Sequence, residues 1–164
     1  MSGGDLRTIG KGDSVVKQIQ TPGDFDKLFE LLFHANRNVV MRAADCIEKI
    51  TRDKPAYLSK HKREILQLFY TANNKELKWH LAQLVPRAKL NDAELKAVWK
   101  QLSQWAFDKK ESKIVRVNSI QGMFELLPLN RELKSDFNKA IEQLEKQKIP
   151  SLTSRINKLR RAME

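Results

Sequence analysis

Three histidines, one cysteine and a surplus of lysine and arginine are the reactive side chains of this 164-residue sequence. His34, His61 and His80 form no His-Glu-x-x-His pair, and Cys46 has no second thiol to join it. A protein metal site needs three or four converging ligands, so no metal is expected. Cys46 stands one residue before Ile47, an apolar helix position, and reads as a packed thiol rather than a nucleophile. Gly10-Lys11-Gly12 lacks the later Gly-Lys-Ser/Thr of a phosphate-cradling loop and reads as flexible tail. No Gly-x-Ser-x-Gly elbow occurs, and carboxylates such as Glu142 and Glu145 alternate with lysines at helical spacing, as on a solvated face. The expectation is a protein with no catalytic residue and no cofactor. Catalytic groups can still converge from distant segments, and an apo structure without a deep pocket of converged titratable groups would remove that reading.

The basic residues are more orderly. Arg37, Lys75 and Lys113 recur at one constant interval and stand where helices are expected to begin. Cations there oppose the helix dipole by roughly 0.3–1 kcal/mol each, and with free amide N–H groups they would attract phosphates or carboxylates. Arg42, His80 and Asn118 repeat at the same interval, as do Met41, Trp79 and Val117. Trp79 lies between Lys78 and His80 and is a candidate hot spot, because tryptophan offers large contact area with few rotatable bonds. Trp99 and Trp105 sit at core-like spacing.

Thirty-one basic against 20 acidic side chains leave a net charge of +11, with 31% charged and 41% apolar residues. A chain of this length can bury roughly 70% of its unfolded surface and needs no metal or disulfide to fold. No apolar run approaches the ~20 residues of a membrane span. The opening residues lack a signal-peptide core, the single cysteine excludes an internal disulfide, and no Asn-x-Ser/Thr site occurs. A cytoplasmic protein is expected, or a nuclear one in a cell with a nucleus.

The elements that must position these residues are helical. Five of the six glycines lie at or before Gly23, so positions 1–20 are expected to be a flexible tail holding one short helix, from Ser14 to Gln20. Asp24 is expected to cap the next helix. Beyond it, apolar residues recur three and four apart: Phe25, Leu28, Phe29, Leu31 and Leu32; Ile65, Leu66, Leu68 and Phe69; Val98, Trp99, Leu102, Trp105 and Ala106; Phe137, Ile141 and Leu144. Short polar breaks such as Asn36-Arg37-Asn38 and Asn73-Asn74-Lys75 separate them. An all-α chain of roughly eight or nine helices follows.

Self-comparison exposes a repeat. Val39, Leu77 and Val115 are spaced by 38, as are Ala43, Leu81 and Ser119, then Ile47, Val85 and Met123, and, in the preceding helix, Leu31, Phe69 and Phe107. Each unit is therefore a helical hairpin. Its A helix is expected at 24–34, 61–72 and 92–107, and its B helix at 38–52, 75–88 and 113–127. A lone hairpin cannot bury both faces, so hairpins stack. A fourth pair, 131–147 and 150–163, falls out of register and carries a shifted stripe of Ile149, Leu152, Ile156, Leu159 and Met163, as a terminal cap would. The basic amphipathic run Ser154 to Arg161 belongs to it.

The B segments Val39-Val40-Met41-Arg42-Ala43-Ala44-Asp45-Cys46-Ile47, Leu77-Lys78-Trp79-His80-Leu81 and Val115-Arg116-Val117-Asn118-Ser119-Ile120 resemble HEAT repeats, α-solenoid relatives of armadillo proteins. Lys78 and Arg116 match that family's basic slot; Val40 does not, and the Asp usual before helix B is missing near His34, Ala72 and Lys110. The resemblance implies an α-α superhelix of about four hairpins, one solenoid domain over 21–164 with repeats near 24–60, 61–90, 91–128 and 130–164. It implies a binding habit and no reaction. The expected function is a non-enzymatic, monomeric adaptor or scaffold that receives an acidic protein partner on its concave B-helix surface, away from any membrane. The residues expected there are Arg42, Lys78, Trp79, His80 and Arg116, with Arg37, Lys75 and Lys113 along one edge. Charge reversal at Lys78 and Arg116 is expected to weaken binding and leave helicity intact. The alternative is nucleic-acid binding on the basic surface, which counterion release would make steeply salt-dependent.

Overall fold

The computed structural model describes residues 12–164, so positions 1–11 of the tail expected over 1–20 lie outside the described residues. Nine α-helices and four short 3-10 segments make up the described residues, with no strand among them. The chain divides into two compact units, residues 1–62 and 63–164.

In the first unit α1 (Gly12–Gln18), α2 (Pro22–Glu30) and α3 (Arg37–Asp53) are accompanied by 3-10 segments at Leu31–Phe33 and Pro55–His61. Helix α3 is the centre, against which α1, α2 and both 3-10 segments pack. Phe25, Ala44, Ile47 and Leu58 are fully buried in its core. The His61 ring stacks on Phe29 with centroids 4.0 Å apart. Its Nε2 lies 2.6 Å from Asp26 Oδ1, while Lys60 Nζ donates to Asp26 Oδ2 at 2.5 Å.

Two expectations shift here. Helix α2 starts earlier than Asp24, because Thr21 is its cap and Pro22 fits the first turn, where no amide N–H is required. Thr21 Oγ1 accepts from Asp24 N at 3.2 Å, and Asp24 Oδ2 accepts in return from Thr21 N at 3.0 Å. Asp24 thus completes a reciprocal capping box rather than capping alone. Leu31, expected in the apolar stripe, is 39% exposed, whereas Leu32 is buried. The buried residues Phe25, Leu28, Phe29 and Leu32 keep the spacing i, i+3, i+4, i+7 of one helix stripe, and Leu31, six positions from Phe25, falls beside it.

The second unit holds α4 (Lys62–Thr71) from its second residue, α5 (Lys75–Leu84), α6 (Asp92–Phe107), α7 (Lys113–Leu126), α8 (Leu133–Glu145) and α9 (Pro150–Met163). These bounds follow the expected hairpins to within a turn. Helix α7 is the hub: α5, α6, α8 and α9 all pack against it. Phe69, Leu81, Leu102, Met123, Phe137 and Ile156 are buried with at most 1% exposure. The columns Leu77/Val115, Leu81/Ser119 and Val85/Met123 are buried throughout. Stacked hairpins explain this, because each B helix must be covered by the next.

One contact sets how closely α5 and α7 approach. A Cβ added at Gly122 would press into the Ala82 carbonyl oxygen and the Leu102 methyls. The only glycine beyond Gly23 is therefore a packing residue. Fully buried Ala82 serves the same approach from α5.

Candidate interaction surface

Each B helix begins on a side-chain cap. Asn36 accepts from Asn38 N at 2.9 Å, Asn74 from Leu77 N at 2.9 Å, and Ser112 from Val115 N at 3.4 Å. The caps follow the period of the repeat. Their signal lies in the polar breaks, just past His34, Ala72 and Lys110, where the family's Asp is missing. Because a cap side chain satisfies an amide at each start, Arg37, Lys75 and Lys113 occupy the first helical position without leaving the backbone unsupported. All three are exposed.

In the second unit the B helices run parallel. Lys78, early in α5, pairs with Glu111, just before α7. Gly122 meets Ala82 at the other end of the same contact. Arg155 of α9 donates to Gln121 of α7 at 2.7 Å. Lys75 and Lys113 therefore open neighbouring parallel helices at the same end of the layer. One and two turns on, α5 presents Trp79 and Gln83, and α7 presents Val117 and Gln121, all half-exposed. Helix α3 of the first unit repeats the order with exposed Arg37 and half-exposed Met41 and Asp45. Each B helix thus carries a cation, an apolar or amphipathic side chain and a polar one at steps of four, along a single face.

Other expected residues are placed differently. Arg42 is exposed on α3; it lies five positions from Arg37, which puts the two on different sides of that helix. Lys78 is half-buried, its ammonium paired with Glu111 and 5.5 Å from the centroid of the buried Trp105 ring. Its charge is balanced by the neighbouring repeat. His80 is 2% exposed, with its ring against Trp79.

Arg116 is 3% exposed. Its Nε donates to the Ala106 carbonyl at 2.8 Å and its Nη2 to Gln147 Oε1 at 2.7 Å. Burial pulls its pKa below the ordinary guanidinium value, and the Asp108 charge opposes that shift. The acceptor at the end of α6 faces the negative pole of that helix, which suits a cation. Arg116 ties the α6–α7 turn to the α8–α9 turn, so reversing its charge would strike the packing rather than only a surface. The basic slot that resembles a surface position in sequence is an interior strut here.

Among the described residues, no three His, Cys, Asp or Glu side chains come together in a way that could hold a metal ion. His34 Nδ1 instead accepts from Asn36 N at 3.0 Å, and Cys46 is buried with its Sγ 3.8 Å from the Gly12 carbonyl. No helix of the described residues is long and apolar enough to cross a membrane. Residues 8–163 match a family model described as a HEAT repeat domain. No curated protein and no solved structure matches the chain.

Proposed function

This chain belongs to the HEAT-repeat family, and on that premise we propose that it is a non-enzymatic adaptor that holds a protein segment on the exposed face of its B helices. The observation that carries the reading is the parallel pair of stripes in the second unit, Lys75-Trp79-Gln83 beside Lys113-Val117-Gln121. Trp79 supplies contact area and the lysines supply attraction for carboxylates, while the glutamines brace the stripes, Gln83 on the Trp79 carbonyl and Gln121 between Arg155 and Glu125. Arg37 and Met41 repeat the same order on α3, and exposed Arg42 adds charge to that helix. His80 and Arg116 support the reading from behind by fixing the helices that present the stripes. Lys78, held by Glu111, orients the turn before α7.

The test is affinity purification from the source cell with the full chain and with a Lys75→Glu, Trp79→Ala, Lys113→Glu variant. We expect captured protein to fall at least tenfold, since truncating one buried aromatic anchor commonly costs about 2 kcal/mol, with helicity unchanged. Undiminished capture would move the site elsewhere. The net charge of +11 favours the second reading, nucleic acid. Random duplex bound tightly at low salt and released steeply as salt rises would select it.

A further inference from the structure

Beyond the B-helix stripes, the C-terminal hairpin carries an open groove of about 690 Å³, lined by the turn between α8 and α9 and by one side of α9. We propose that this groove receives a short acidic stretch of a partner protein. The inference rests on the adaptor reading and gives that partner a chemistry and a second point of attachment.

Three cations line the groove: Lys148, Lys158 and Arg161. None of them makes an ion pair within the described residues, unlike Arg160 next door. The single carboxylate in the lining, Glu145, is already occupied. Arg160 grips both its oxygens at 2.8 Å and holds its pKa below the usual carboxylate range. The lining charge is therefore positive and unanswered. Thr153 and Asn157 stand on the same α9 stripe as Arg161 and add neutral donors between the cations.

The groove is built in advance. Gln147, beside Lys148, is held by the buried Arg116 guanidinium at 2.7 Å. Arg155 fixes α9 to α7 through Gln121. Leu152, Ile156 and Leu159 on the opposite face of α9 are buried. Lys148 itself has φ 53°, the left-handed region. Glycine adopts that conformation more readily than a residue with a side chain. Lys148 takes this conformation just past the end of α8, where its N–H closes on the Glu145 carbonyl at 3.0 Å, so the helix stop fixes where its side chain starts.

Charge and shape select the occupant. From Thr153 to Arg161 the helix advances about 12 Å, enough for three or four extended residues each bearing a carboxylate. No lining residue is aromatic, so unstacked bases would find no platform.

The experiment is fluorescence anisotropy with a labelled octaglutamate peptide, an octaglutamine control and a random duplex. Three full-length proteins are compared: the parent, a Lys148→Gln, Lys158→Gln, Arg161→Gln variant, and a Lys96→Gln, Lys100→Gln, Lys134→Gln variant of equal net charge. We expect the groove variant to bind octaglutamate about tenfold more weakly and the charge-matched variant to change less than twofold. If the triple variant loses helicity, Lys148→Gly, which the left-handed backbone accommodates, should still weaken binding at least twofold. Three results would overturn the groove: no octaglutamate binding by the parent, equal weakening in both variants, or duplex binding that depends on the groove while octaglutamate does not. Each leaves the adaptor reading to be judged by capture on the B-helix stripes.

Discussion

Arg116 and Asp26 show how single polar side chains set the stability of each unit. Arg116 is buried and charge-assisted at both ends, on the Ala106 carbonyl and on Gln147. Hydrogen bonds to a charged group are worth about 1.5–3 kcal/mol, and their removal leaves buried acceptors unmet. Arg116→Ala should therefore destabilise the chain by about 2–3 kcal/mol in urea titration; a midpoint equal to the parent's would mean that water replaces the guanidinium without loss. In the other unit, the Asp26 carboxyl is held below its ordinary pKa, first by the hydrogen bond from Lys60 and then by that from His61. A lowered folded pKa means the unfolded chain binds the proton more readily. The stabilisation is present above the unfolded carboxylate value of about 3.9 and fades as pH falls through the folded value. The melting-temperature advantage of the parent over Asp26→Asn should be full at neutral pH and shrink below about pH 4. A constant difference across that range would detach Asp26 from the effect.

Helix contacts depend on small residues as much as on large ones. The close approach of α5 to α7 is possible because position 122 has no Cβ. The obstacle is a backbone carbonyl, which cannot swing aside like a flexible side chain. Gly122→Ala should then cost about 1–3 kcal/mol, the usual penalty of overpacking. That cost exceeds the gain of up to about 1 kcal/mol that alanine brings to a helix interior. Thermal denaturation decides the sign: a stabilised variant would show that the helices part easily. Position 122 falls in one column of the repeat with Cys46 and Leu84. The repeat alone predicts a side chain of some size there, so only packing explains the glycine. Leu31 is a similar case. The repeat places it in a column with buried Phe69, yet the stripe its own unit buries is Phe25, Leu28, Phe29 and Leu32, and Leu31 stands beside that stripe, exposed.

At the scale of the whole molecule, charge governs encounter and the repeats govern presentation. A net charge of +11 creates a field that attracts acidic partners before contact. For the proposed protein partner, the association rate should fall severalfold as ionic strength rises from about 0.01 to 0.15 M, where the Debye length shrinks from about 30 to 8 Å. Dissociation should change much less, since mutations and salt at rim charges act mainly on approach. Stopped-flow mixing separates the two rates, and a salt-independent association rate would remove charge from the account. The two units, 1–62 and 63–164, each close a core of their own around α3 and α7.

Helical class, the period of the hairpin repeat and most helix bounds were readable from order alone. They depend on local rules: apolar spacing of three and four, polar breaks, and caps within a few positions of the helices they start. The exposed cations Arg37, Lys75 and Lys113 were readable for the same reason, since the first turn of a helix after a polar break faces outward. The fates of Lys78, His80 and Arg116 were decided by the tertiary structure. Lys78 meets Glu111 and Arg116 meets Gln147, pairs that lie 33 and 31 residues apart along the chain. A column of matching residue types states which helix face a side chain occupies. Whether that face is covered depends on partners that only the neighbouring hairpin brings within hydrogen-bond distance.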